Sequence, residues 1–165
     1  MHLKKTNFIG LMLIALLFIS CDKKQIFSEY KELDGTWKKS DTLRFTFEQK
    51  DTINPYHLFL NVRNNNDYPF NNMYLIVSMK EPGKKPTIKV DTLEYQMANP
   101  DGTLMGEGFS DVKESKLWYL ENHVFNRMGK YNIQIVQAVR ETGKVSGVSE
   151  LKGITELGLR IEKTK

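Results

Sequence analysis

After position 43 apolar and polar residues alternate along most of this chain. Leu43, Phe45 and Phe47 interleave with Arg44, Thr46 and Glu48, and Tyr56, Leu58, Leu60 and Val62 with His57, Asn61 and Arg63. Met73, Leu75, Val77 and Met79 make a third apolar face. Side chains two apart share one face of a strand, so this period predicts half-buried β-strands. Residues 87–97 carry Ile88, Val90 and Thr92 on one face and Leu93, Tyr95 and Met97 on the other, and the change of face near Asp91 predicts a bulge. A strand is predicted over 129–140 from Tyr131, Ile133, Ile135, Gln137 and Val139, and a last one from Leu157, Leu159 and Ile161. Residues 113–125, with Leu117-Trp118-Tyr119-Leu120, fit either a buried strand or a short helix capped by Ser110 or Asp111. We read them as strand.

The punctuation between these runs is that of hairpins. Residues 64–72 hold Asn64, Asn65, Asn66, Asp67, Asn71 and Asn72 around Tyr68-Pro69-Phe70; short amides cap turns, and Pro69 cannot donate to a ladder. Pro82-Gly83 and Asn99-Pro100-Asp101-Gly102 mark further turns, Gly106 and Gly108 a bend or a close backbone approach, and 141–152 a polar connection. Short strands at this spacing, with no long helical pattern, predict one all-β domain, an antiparallel β-sandwich.

The first twenty-one residues follow a different rule. Lys4 and Lys5 precede an apolar run over 8–19, then Ser20 and Cys21. As a helix that run would rise about 18 Å, short of the ~30 Å hydrocarbon core, so it reads as a cleaved signal peptide and not a span. Cys21 is the chain's one cysteine and sits at the end of the leader behind a small residue, with Phe18 where a Leu is usual. This order predicts a lipoprotein: residues 1–20 removed, Cys21 bearing diacylglycerol and an acyl chain such as palmitate, 21–36 a tether, and 37–165 the sandwich. Two or three acyl chains hold a protein on a bilayer effectively for good. Trp37, Phe27 and Tyr30 are expected to pack the tether against the domain. Asp22 followed by Lys23 and Lys24 lacks an acid-rich surface-export tract, so the expected location is the outer membrane, facing the periplasm.

Cleavage takes Lys4 and Lys5, leaving 22 basic residues against 20 acidic ones, a formal charge of +2. With no basic run in the sequence, no nucleic-acid partner is expected. His57 and His123 are far apart and have no cysteine beside them, so no metal site is expected. No nucleophile elbow or glycine-rich phosphate loop occurs, and carboxylate pairs such as Asp91 with Glu94 or Glu107 with Asp111 are ordinary in a chain of 20 acids. No cofactor and no enzymatic activity are expected.

Two binding readings remain. Rigid aromatics on a preordered loop make good contact residues, which points to Tyr68, Pro69, Phe70 and Asn71 as a protein interface; the same rings can equally close the open end of the core. A carbohydrate-binding sandwich is the alternative, with Tyr68, Phe70 and Trp118 stacking on sugar rings.

Arg63-Asn64, Tyr68-Pro69-Phe70-Asn71-Asn72, Asp91-Thr92, Asp101-Gly102, Gly106-x-Gly108, Phe125, Gly129-x-Tyr131, Gln137-Ala138-Val139-Arg140 and the closing Gly153-Ile154 with 157–163 occur in an order that resembles the GldH-type gliding motility lipoproteins. The likeness runs from about Tyr30 to the C-terminus. It implies a non-enzymatic envelope subunit needed for gliding, working beside other gliding lipoproteins and the type IX secretion machinery; Arg63, just ahead of the hairpin, stands with its residues as an interaction candidate. It supplies no catalytic residues.

Overall fold

The computed structural model describes residues 24–108 and 110–165; the leader 1–20 and Cys21 lie outside them. β1 (Gln25–Glu32), β10 (Ile154–Lys163), β4 (Tyr56–Asn64) and β7 (Lys113–His123) form one four-stranded sheet in that order. A second sheet runs β3 (Leu43–Gln49), β8 (Gly129–Gln137), β5 (Asn72–Lys80), β6 (Ile88–Gln96), and a ribbon pairs β2 (Thr36–Lys38) with β9 (Glu150–Lys152). Every pairing is antiparallel. The inward sets merge into one core: Leu58, Leu60, Val62, Leu157, Leu159 and Ile161 from one sheet meet Phe45, Phe47, Leu75, Val77, Ile133 and Ile135 from the other. Burying each such side chain contributes about 1.5–3 kcal/mol, which fixes the register because a one-residue slip would turn the whole set to solvent.

Four details depart from the sequence reading. The stretch 21–36 is not tether throughout: from Gln25 it is β1, whose Phe27–Glu32 run registers with β10 from Ile161 to Glu156. Its alternation is faint because β1 is an edge strand, burying Phe27 while Glu29 and Lys31 on the same face pair with each other. Tyr30 points to the opposite, outer face and does not join Phe27 in packing on the core. No bulge occurs at Asp91; β6 pairs β5 without a shift from Ile88 to Gln96. Asp91 stays inward because the Tyr119 hydroxyl (3.2 Å) and Lys89 Nζ (3.0 Å) neutralise its carboxylate, so a polar residue on the inner face mimics a change of phase. The bulge is instead in 113–125, which is strand β7, where the pairing shifts between Phe59↔Trp118 and Leu58↔Leu120. The connection 141–152 contains β9, whose Leu151 is fully buried beside Trp37 of β2.

The two ends of the sandwich differ. At one end β1 begins and β10 finishes, joined by loops 50–55, 81–87 and 124–128. Phe125 plugs it, ringed by His123, Tyr131, Phe47 and Tyr56 at centroid distances of 4.7, 4.9, 5.5 and 5.7 Å. The opposite end carries hairpin 65–71, the β6–β7 connection and the β8–β9 connection, with the β2–β9 ribbon as its base.

Candidate functional site

The hairpin end is where side chains converge without forming core. Asx geometry starts the hairpin, Asn65 Oδ1 accepting the Asp67 N–H at 3.0 Å. Gly153 then lets it dock: its φ is +80°, and a Cβ there would lie 2.2 Å from Tyr68 N. Asn71 fixes the neighbouring connection, its carbonyl accepting N–H from Met97 (2.7 Å) and Ala98 (3.2 Å). Gln137, buried at the end of β8, ties in the third by donating to Val148 O at 2.8 Å.

Tyr68 is 5 % exposed, and its hydroxyl donates to Asn72 O at 2.7 Å. Burial pushes its phenol well above the ordinary value. Its reading as a contact residue, or as a sugar platform, is therefore corrected: the ring closes the core and sets the loop. Phe70 sits edge-on to it at 6.0 Å and is only partly buried. Pro69, Phe70 and Asn71 do line a groove of about 780 Å³, whose other wall is Glu94, Gln96, Asn99, Pro100, Arg140 and Thr142. A smaller hollow of about 600 Å³ continues from it over Tyr74, Ile76 and Thr92, sharing Asn72, Arg140 and Thr142.

The groove is polar on one side and apolar on the other. Glu94 Oε1 accepts from Tyr74 Oη (2.5 Å) and Asn72 Nδ2 (2.9 Å), and these bonds, the tyrosine's first, hold its carboxyl below the ordinary range. Arg140 pairs with Gly147 through an isolated β-bridge, while its guanidinium has no partner among the described residues. Sequence reading named Glu94, Asn72 and Arg140 but did not join them in one site, because nothing in their spacing shows that three connections bring them together.

Arg63 belongs elsewhere, on the outer face of the first sheet. Its Nε donates to Glu114 Oε2 (2.7 Å), its Nη1 to Glu156 Oε2 (2.8 Å), and its guanidinium stacks 4.7 Å from the Tyr30 ring centroid. Glu114 Oε1 also accepts from Tyr30 Oη (2.7 Å) and Asn61 Nδ2 (3.0 Å). Burial pushes the Glu114 carboxyl up, but the Tyr30 and Arg63 donors outweigh it and hold the net value below the ordinary range. These residues come from all four strands of the sheet, so Arg63 acts as a clasp and not as an open contact.

Further along this face Trp118, half exposed, leans on Phe59 at 4.4 Å and meets His57 edge-on at 4.9 Å. Lys116 Nζ lies 4.0 Å from the Phe59 ring centroid. Phe59 stands at an outward position of its strand yet is 5 % exposed, covered by these neighbours. Beside them Asn61, Lys116, Arg160 and Gly106 to Gly108 line a second groove of about 840 Å³. Gly106 and Gly108 are the close approaches expected of them: added Cβ atoms would lie 2.7 Å from Glu114 O and 2.4 Å from Val112 O.

A family model described as GldH lipoprotein matches residues 25–161. The chain is 55 % identical over 152 residues to a gliding motility lipoprotein GldH of Flavobacterium johnsoniae, covering 92 % of this chain and 93 % of that protein. It is 48 % identical over 149 residues to a gliding motility lipoprotein GldH homolog of Christiangramia forsetii, covering 90 % of each. Among solved structures, the VP2 subviral particle of infectious bursal disease virus aligns with a TM-score of 0.40 at 13 % identity, over 86 % of this chain and 33 % of that one. The family model runs from the start of β1 into β10 and the relatives match nearly end to end, so the chain belongs to the GldH lipoprotein family.

Proposed function

We propose that this protein is a lipid-anchored subunit of the gliding motility apparatus, held in the outer membrane facing the periplasm, that recruits a protein partner and catalyses no reaction. Both relatives carry gliding motility in their names. The observation that supports a recruiting role is the groove at the hairpin end, where Phe70 and Pro69 face the unpartnered Arg140 across walls fixed by backbone hydrogen bonds. Interfaces concentrate their energy in aromatic and Arg side chains seated in such preordered settings. The partner belongs to the gliding lipoproteins or to the type IX secretion machinery. Crosslinking in intact envelopes followed by pull-down tests this: Phe70→Ala with Arg140→Glu should lose the captured partner and cell spreading while the melting temperature is kept. Unchanged capture by that variant sinks the proposal.

Trp118 supports a second reading, carbohydrate binding on the outer face, since a half-exposed indole leans on Phe59, whose ring also meets Lys116 of the second groove. Glycan-array signal lost with Trp118→Ala would establish it, and an empty array would remove it.

A further inference from the structure

The end of the sandwich where β1 begins gathers lysines that are scattered in sequence. Lys50, Lys84, Lys85 and Lys165 come from two loops and the C-terminus, joined by Lys24 and Lys163 where β1 starts and β10 ends. The carboxylates within these loops, Asp51 and Glu81, are already engaged. Asp51 accepts from Ile53 N, Asn54 Nδ2 and Tyr56 Oη, and Glu81 from Asn126 Nδ2. The amines of Lys50, Lys84, Lys85, Lys163 and Lys165 have no partner among the described residues. The three connections at the opposite end hold Asp67, Asp101, Glu107, Asp111 and Glu141 against Arg140 and Lys144, so the molecule is polarised along its strands.

Apolar exposure follows the lysines. Of the nine large apolar side chains exposed among the described residues, five lie at this end: Ile26, Ile53, Ile88, Val124 and Met128. Ile53 is 83 % and Met128 67 % exposed, each at a loop tip. Scattered surface apolar residues need no explanation, but apolar tips set among Lys50, Lys84, Lys85, Lys163 and Lys165 match the chemistry of a membrane interface, where rings of cations meet lipid phosphate and apolar tips enter the headgroup boundary.

Chain geometry decides which surface this end meets. The Lys24 carbonyl accepts the Lys163 N–H at 2.8 Å, so the chain is tied to the body from that residue on. Cys21 precedes it by three residues, a reach of at most about 11 Å. With acyl chains on Cys21, the lysine end is held within that distance of the bilayer.

We propose that this end of the sandwich docks on the anionic lipid surface that holds the anchor, with Ile53 and Met128 entering the headgroup region and the lysines pairing with the phosphates of net-negative lipids. The proposal rests on the anchored reading of Cys21. It sets the hairpin groove at the far end, about 25 Å along the strands from the lipid, facing away from the membrane. The sequence showed no basic face because its lysines sit in separate loops that only the fold brings together.

The test uses the mature lipidated protein reconstituted in vesicles. Acylation consumes the Cys21 thiol, so Ile53→Cys and Val145→Cys variants each carry one free thiol for an environment-sensitive fluorophore. In phosphatidylglycerol-rich vesicles containing brominated lipid, the label at 53 should be quenched and blue-shifted while that at 145 stays in water. Replacing Lys84, Lys85, Lys163 and Lys165 by Gln should weaken docking several hundredfold, at about fivefold per lysine, and so should molar salt or vesicles of phosphatidylcholine alone. Equal exposure of both labels, or quenching indifferent to lipid charge, overturns the proposal. Intact mass reads the anchor separately. An unacylated chain refutes the lipoprotein reading, and with Cys21→Ser the label at 53 then still decides whether the lysine end docks.

Discussion

Gly153 is the rivet of the hairpin end, and its replacement separates two costs that usually come together. Its N–H donates to Gly35 O and its carbonyl accepts from Asn65 N, both at 2.8 Å, and its φ of +80° lies in the left-handed region. An alanine there costs about 1 kcal/mol for the conformation alone. Its Cβ would also lie 2.2 Å from Tyr68 N and 2.6 Å from Tyr68 Cα, backbone atoms that cannot rotate away. The hairpin must retreat, straining the Asn65 bond, worth about 1 kcal/mol, and loosening Tyr68 in the core at about 1–3 kcal/mol. Gly35 supplies the control, with a φ of +77° and nothing within 4 Å of an added Cβ. The stiffening of the unfolded chain by alanine is the same in both variants and cancels. At roughly 4 °C per kcal/mol for a domain of this size, Gly35→Ala should lower the melting temperature by about 4 °C and Gly153→Ala by about 12–20 °C. Circular dichroism melts of the two proteins, with tryptophan emission reporting the Trp37 environment, make the comparison. Falls that agree within about 3 °C would refute the close approach as the reason for this glycine.

Phe125→Ala should remove about 3–5 kcal/mol, since a fully buried ring among four aromatic neighbours leaves a cavity that flanking strands cannot fill; urea unfolding measures it. Glu114 has a folded pKa below its unfolded one, so its contribution is present above pH 4.5 and is lost as pH falls through the folded value. Glu114→Gln should therefore flatten the acid limb of stability against pH, and an unaltered acid limb would remove Glu114 as its source. Lys116→Ala should uncover Phe59 and raise dye binding to the outer face while changing stability by less than about 1 kcal/mol, as judged from paired dye titration and melting. Cys21→Ser should abolish fatty-acid labelling of the protein, and persistent labelling refutes its lipidation.

The strands whose inner faces are purely apolar were legible because period two and burial coincide, as in Leu43 to Phe47 and Met73 to Met79. Reading failed where one signal was replaced. β1 packs a single apolar side chain, Phe27, on the core and shows charges on both faces, so it read as tether. Asp91 is inward but neutralised, so regular pairing read as a bulge. β9 rests on Leu151 alone. At the site, Pro69, Phe70 and Asn71 were visible as a stiff aromatic loop, and they do line a groove. Tyr68 was equally visible as an aromatic, but only the docking against Gly153 shows that it faces inward. Glu94 and Arg140 carry no local signature; their meeting depends on long-range pairing that no window of sequence contains.

The pairing of β1 with β10 also sets how the domain bears load. β1 runs from the leader side of the sandwich toward the hairpin end, and β10 lies inside the sheet, braced by β4. A pull on the chain ahead of Gln25, opposed by a weight on the hairpin loops, is directed along β1 itself. Antiparallel ladder bonds lie across the strand axis, so they are sheared together and not opened one after another. Peeling would need a sideways pull. The strand that leads from the anchor side into the body is thus mounted in its mechanically strong direction.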